Sequence, residues 1–212
     1  MILVGQYDSP FVRRVAVTLH HYHMPFSRNT ISVFGDAAKM KKINPLIRIP
    51  SLILENGETL IDSVAIIDYL DEMAGPARAL VPPHGAERRK IMQATALAHG
   101  AAEKAGQISY ERFFHTGKAL SKDWEARCLK QLSAALVQLE SQCGAPWFID
   151  MKMSHADVMT GCLIGYLKLR VPEAFPIRKY PKLHGLSLHC EMMDEFVKSR
   201  ISPNETMPGK KK

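Results

Sequence analysis

The feature that most constrains this chain is a change of rhythm near residue 80, where alternating strand and helix signals give way to helix signals alone. Ile2-Leu3-Val4 is a short β-type run, stopped by Gly5 and a polar turn. Val12, Val15, Ala16 and Leu19 recur at helical spacing, which predicts an amphipathic helix from Pro10 to about Tyr22. Phe26 to Ile31 suits a second strand, and Gly35 to about Ile43 a short basic helix. Ser51-Leu52-Ile53-Leu54 and Thr59-Leu60-Ile61 flank Asn56-Gly57, a hairpin signal because both turn residues tolerate positive φ. Val64, Ile67, Leu70 and Met73 then predict a helix ending at Gly75-Pro76. The order β-α-β-α-β-β-α implies a parallel first pair, joined through a helix, and an antiparallel hairpin. It is the thioredoxin-like order.

Four helical stretches follow: Ala86 to Phe114, Asp123 to Gln142, Ser154 to Leu169 and Leu183 to Lys198. The expected architecture is an α/β thioredoxin-like domain over residues 1–77, a linker over 78–85 holding Pro82-Pro83, an all-α domain over 86–205 and a basic tail over 206–212. A chain of 212 residues with 46% hydrophobic and 23% charged residues is long and apolar enough for this, and wholesale disorder is excluded. The net charge of +7 includes Lys210-Lys211-Lys212, and no nucleic-acid reading motif accompanies it, so no nucleic-acid partner is expected. Cys128, Cys143, Cys162 and Cys190 form no CxxC pair and suit neither zinc nor a disulfide framework; they are expected to be reduced thiols, most of them in the interior. With no basic leader ahead of Met1-Ile2-Leu3-Val4 and no apolar run of membrane-spanning length, a cytoplasmic protein with no membrane partner is expected.

Three junctions could carry chemistry. Ser9-Pro10 pairs a favoured N-cap with a favoured first helical residue, and a helix N-terminus also favours an anion, a thiolate included. Ile49-Pro50 opens the third strand, where no ladder donor is needed. Asp62-Ser63 opens the third helix, with Ser63 read as its N-cap. The same pair suits an amino-acid head, Ser63 and its N–H holding a carboxylate while Asp62 pairs with an ammonium. Each junction is also explained by capping or strand geometry alone.

Taken together, these junctions in this element order resemble the glutathione transferase family. Asn44-Pro45-Leu46-Ile47-Arg48-Ile49-Pro50 is similar to the family's N-P-x-G-x-V-P segment, with Ile47 in place of the glycine. Ala145-Pro146-Trp147-Phe148-Ile149 and the capping box Ser154-His155-Ala156-Asp157, flanked by Met153 and Val158 as a hydrophobic staple, resemble the family's helical domain. The N-terminal half looks closest to bacterial serine-type members with an S-P-F-V-R-K-like turn. The resemblance implies glutathione as co-substrate, no metal, a homodimer, and a thiolate that attacks an electrophilic small molecule or a peroxide. It implies Ser9 as the donor to the thiol, Phe11 beside it in the turn, Ile49 before a cis Pro50 as partner of the cysteinyl backbone, Arg48 against the tripeptide, and Asp62 and Ser63 at the γ-glutamyl head. One of Lys39, Lys41 and Lys42 could reach the glycyl carboxylate. Met92 to Tyr110 would line an inter-domain cleft, with His99, Glu103 and Tyr110 as second-substrate contacts. Arg13 and Arg14 are expected on a solvated face, and His20, His21 and His23 at a solvated helix end. A glutathione-dependent isomerase remains an alternative, as does a non-catalytic regulatory protein acting through a protein partner.

Overall fold

The computed structural model describes residues 1–115, 117–149 and 151–205. The expected basic tail, 206–212, lies outside the described residues. The first unit opens with β1 (Ile2–Val4), α1 (Pro10–His21), β2 (Ser27–Asn29) and α2 (Ala37–Lys41), and continues with β3 (Ser51–Ile53), β4 (Thr59–Ile61) and α3 (Ser63–Ala74). The sheet order is β2-β1-β3-β4. β1 and β2 are parallel, and the other two pairs are antiparallel. The thioredoxin-like order is thus found as expected, with β2 and α2 shorter than their sequence signals.

Helix α1 starts where Ser9 caps it and Pro10 takes the first turn, which needs no N–H there. Its apolar residues Val12, Val15, Ala16 and Leu19 are fully buried. Arg13 and Arg14, expected on a solvated face, are each only 3% exposed. For Arg13 the reason is a later segment of the chain: its Nε donates to the Ser199 carbonyl at 2.9 Å, and its guanidinium lies 5.4 Å from the Phe196 ring centroid.

That segment also departs from expectation. The helix predicted over Leu183 to Lys198 is two helices, α7 (Pro181–Met192) and α8 (Asp194–Lys198), divided at an extended Met193. Burial of Phe196 against α1 overrides continuation of the helix. Residues 192–205 cluster with residues 1–80, whereas the sequence places them in the all-helical domain.

The second unit, Val81–Glu191, holds α4 (Gly85–Phe114), α5 (Lys122–Gln142), α6 (His155–Arg170) and α7. Ala94, Ala98, Ala101, Ala102 and Ala105 keep α4 thin where it packs against α5 and α6. Helix α6 is buried nearly all round, as befits a central helix. Its first turn is fixed by Asp157, whose carboxylate accepts from Ser154 N (2.8 Å), Ser154 Oγ (2.6 Å) and Phe148 N (2.8 Å). This is the predicted capping box. All four cysteines are free and buried.

Candidate functional site

The sheet register determines what can meet. Val4 pairs with Ser51, and Ser51 pairs with Ile61. The end of β1, the start of β3 and the end of β4 therefore lie side by side at one edge of the sheet. The turn carrying Ser9 leaves from the first, Ile49-Pro50 enters the second, and Asp62-Ser63 leaves from the third. With strands about 4.8 Å apart, the row spans about 10 Å. Three junctions scattered over the sequence thus form one continuous edge.

At one end of that edge, Ser9 is half-buried with extended backbone, and its Oγ accepts a long capping bond from Val12 N at 3.4 Å. Accepting that bond leaves the hydroxyl proton available for donation outward. Phe11, on the first turn of α1, is half-buried. No acidic residue stands in the first turn of α1, and the N-terminal end of a helix favours an anion.

In the middle, the Ile49–Pro50 bond is cis and Pro50 is buried. The loop before it keeps a glycine-like bend despite Ile47, which sits at φ 51°, a conformation that costs a β-branched residue strain. Asn44 holds the bend in place. Its Nδ2 donates to the Arg48 carbonyl at 2.9 Å, and its Oδ1 accepts from Leu46 N at 3.0 Å. Arg48 itself is exposed beside this edge. Lys39, Lys41 and Lys42 are exposed too, Lys39 pairing with Asp36 at 3.0 Å.

At the far end, the structure corrects the cap of α3. Asp62, not Ser63, is the N-cap, its carboxylate accepting from Val64 N at 2.8 Å. Asp62 reaches this position with φ 69° and ψ 134°, a sparsely populated conformation that is strained for a residue with a side chain. Ser63 is the first helical residue and is buried, while Asp62 is exposed. Helix α3 also lacks an acidic residue in its first turn. Two helix N-termini thus bracket the edge, that of α1 capped by Ser9 and that of α3 by Asp62.

Sequence reasoning missed two contributors. Gly5, read only as a strand stop, has φ 132°, and a Cβ there would lie 2.6 Å from Val12 Cγ2 and 2.9 Å from Ile49 Cβ. Its bareness lets the turn, α1 and the cis-proline loop converge. Glu205, to which no motif pointed, accepts from the Tyr7 N–H at 2.9 Å, two residues before Ser9. Tyr7 is buried, and burial raises its phenol pKa, against the lowering pull of the Arg28 guanidinium.

The remaining sequence expectations fall elsewhere. His99, Glu103 and Tyr110 all lie on α4, and at 100° per residue they share one face. His99 is half-buried, and Glu103 and Tyr110 are exposed. His20 lies against the Phe26 ring, His21 Nδ1 meets Glu195 Oε1 at 2.8 Å, and His23 is exposed. Among the described residues, no three His, Cys, Asp or Glu side chains gather as metal ligands, and no helix is long and apolar enough to cross a membrane.

Comparison with known proteins bears on the fold. Residues 3–78 match the family model described as glutathione S-transferase, N-terminal domain. An uncharacterised glutathione S-transferase-like protein of Escherichia coli, YibF, is 28% identical over 170 residues, covering 80% of this chain and 83% of its own. A probable maleylacetoacetate isomerase 1 of Drosophila melanogaster is 26% identical over 179 residues, covering 84% and 70%. A glutathione S-transferase of Methylobacterium radiotolerans, solved with glutathione sulfonate, superposes with a TM-score of 0.88 at 25% identity, covering 93% of each chain. Residues 3–78 thus resemble the N-terminal domain of glutathione S-transferases, and the chain has the fold of the solved glutathione S-transferase structures.

Proposed function

We propose that this protein binds glutathione along the edge formed by the Ser9 turn, Ile49-Pro50 and Asp62-Ser63, and that Ser9 stabilises its thiolate for attack on an electrophile. The observation that carries the reading is the register: one row, about 10 Å long, matches an extended tripeptide in length. The γ-glutamyl carboxylate would take the hydroxyl and N–H of Ser63 at the start of α3, and its ammonium would pair with Asp62. The cysteinyl backbone would pair with the main chain of Ile49, Pro50 and Arg48 would border it, and Phe11 would flank the sulfur.

Free glutathione thiol titrates near 8.5, so only a few per cent is ionised at neutral pH. Lowering that value by two units needs about 2.7 kcal/mol. A hydrogen bond from Ser9 to the charged sulfur contributes about 1.5–3 kcal/mol, and the end of α1 adds about 0.3–1 kcal/mol. The two suffice. The thiol proton passes to solvent, the sulfur lone pair forms the new bond to carbon, and the displaced electron pair leaves with the departing group or takes up a proton. Ser9 acts as a donor throughout, never as the nucleophile.

His99, Glu103 and Tyr110 are the proposed contacts of the electrophile. On the same reading the protein is a homodimer, with the exposed apolar Val64 and Met73 of α3 among the surfaces it would cover. The Drosophila relative's name favours one second reading, in which glutathione adds to a double bond and is later expelled, leaving an isomerised product and no net consumption of thiol.

Titration calorimetry tests the reading. Glutathione is expected to bind with a dissociation constant of 1 mM or tighter, equivalent to at least about 4 kcal/mol. Asp62→Ala is expected to weaken it about tenfold by removing the ammonium partner. Absence of binding at millimolar glutathione would overturn the proposal. Binding without turnover of a generic electrophile, or of an isomerisable double bond, would instead favour a regulatory protein.

A further inference from the structure

Resting on the glutathione reading, we propose that Glu205 is a positioning residue for Ser9. Its carboxylate holds the turn that aims the serine hydroxyl, and the C-terminal segment acts as a strap that delivers it there.

The strap can be followed contact by contact along α1. At the far end of the helix, Glu195 meets His21 at 2.8 Å. Midway, the Ser199 carbonyl accepts from Arg13 Nε at 2.9 Å, and Phe196 lies buried beneath the same guanidinium. At the near end, Glu205 Oε2 accepts from the Tyr7 N–H at 2.9 Å. The segment therefore runs antiparallel to α1 and returns its last described residue to the turn that opens the helix. The Tyr7 contact closes a span of 198 residues.

Three further facts make this contact a positioning device rather than an incidental surface bond. Glu205 is 8% exposed and Tyr7 is 2% exposed, so the bond is shielded from water. The same carboxylate oxygen accepts from Arg28, whose guanidinium sits 3.4 Å from the centroid of the Tyr7 ring. The Tyr7 hydroxyl is buried with no partner among the described residues. Tyr7 is therefore held by its main chain and its ring face, both arranged by the Glu205–Arg28 pair. Next along the turn, Ser9 N donates to the Gln6 carbonyl at 3.2 Å. Fixing Tyr7 N between Gln6 and Ser9 fixes the direction in which Oγ leaves the turn. A positioned donor stabilises charge only if its angle and distance are right, and an error of an ångström is costly.

The test compares wild type, Glu205→Ala, Glu205→Gln and Ser9→Ala for glutathione affinity, kcat and the pKa of the bound thiol. Glu205→Ala is expected to lower kcat about tenfold and to raise the bound-thiol pKa by about half a unit, with the dissociation constant changed less than about threefold. Glu205→Gln keeps an acceptor for Tyr7 N and is expected to recover most of the loss. A purely structural role would lower the melting temperature and leave the thiol pKa of the folded fraction unchanged, and that result overturns the proposal. Equal thiol pKa shifts in Glu205→Gln and Glu205→Ala overturn it too. Should Glu205→Ala fail to fold, Glu205→Asp, one methylene short of Tyr7 N, is expected to show the pKa shift, and an unshifted thiol in it is contrary evidence. Ser9→Ala separates the two levels. If it leaves the thiol unchanged, the Ser9 mechanism falls, and the role of Glu205 with it. If it acts while Glu205→Ala does not, only the strap falls.

Discussion

Gly5 and Ile47 show opposite ways of meeting one demand for left-handed backbone. Gly5 meets it without a side chain, and the space saved is filled by Val12 and Ile49. Ile47 meets it with a β-branched side chain, and Asn44 bonds on either side keep the loop in place. The two positions consequently differ in tolerance. Gly5→Ala is expected to destabilise the protein by about 1–3 kcal/mol, because φ is wrong for alanine and neither contact can recede cheaply. It is also expected to weaken glutathione binding by parting the Ser9 turn from the Ile49 loop. Urea unfolding and calorimetry on that variant measure the two effects. A variant as stable as wild type would mean that the close approach of Gly5 to Ile49 is not required.

At the scale of elements, what could be read in the sequence was what depends on neighbours in the chain. The caps at Ser9 and Ser154, the Asn56-Gly57 hairpin and the helical periodicities are local, and each element they announce is present. The cap of α3 was read one residue late because Asp62 and Ser63 are both good caps and only the backbone angles decide between them. The division between α7 and α8 left no trace, since no glycine or proline marks Met193 and the cause is burial of Phe196 against a helix far away in sequence. Arg13 is buried by the same segment, which its local sequence does not announce. A buried arginine is unusual without a partner, and the partner of Arg13 is a backbone carbonyl that composition does not announce. The three site junctions were legible as types, but their convergence on one edge was a matter of strand register.

At the scale of the whole molecule, stability and function make separate demands on titration. Burial pushes the Cys143 thiol up to about 12, with the nearby Asp157 and Glu140 charges adding to it. Burial also raises the Tyr22 phenol, helped by its hydrogen bond to Asp71. An unfolded thiol titrates near 8.5, so above that pH the unfolded chain loses a proton that the folded chain keeps. Stability is therefore expected to fall as pH rises from about 9 towards 12, by up to about 1.4 kcal/mol per pH unit for each such group. Unfolding at pH 8, 9 and 10 checks this, and Cys143→Ala is expected to flatten the fall. A flat wild-type profile would argue against a buried, protonated thiol. The thiol of bound glutathione must behave in the opposite way and ionise early. Its titration by thiolate absorbance, in wild type and in Ser9→Ala, is the most direct measurement of the proposed mechanism. In wild type the bound thiol is expected to ionise about two units below 8.5, and in Ser9→Ala at least about one unit higher, with glutathione still bound. Identical titrations in the two proteins would contradict the role assigned to Ser9.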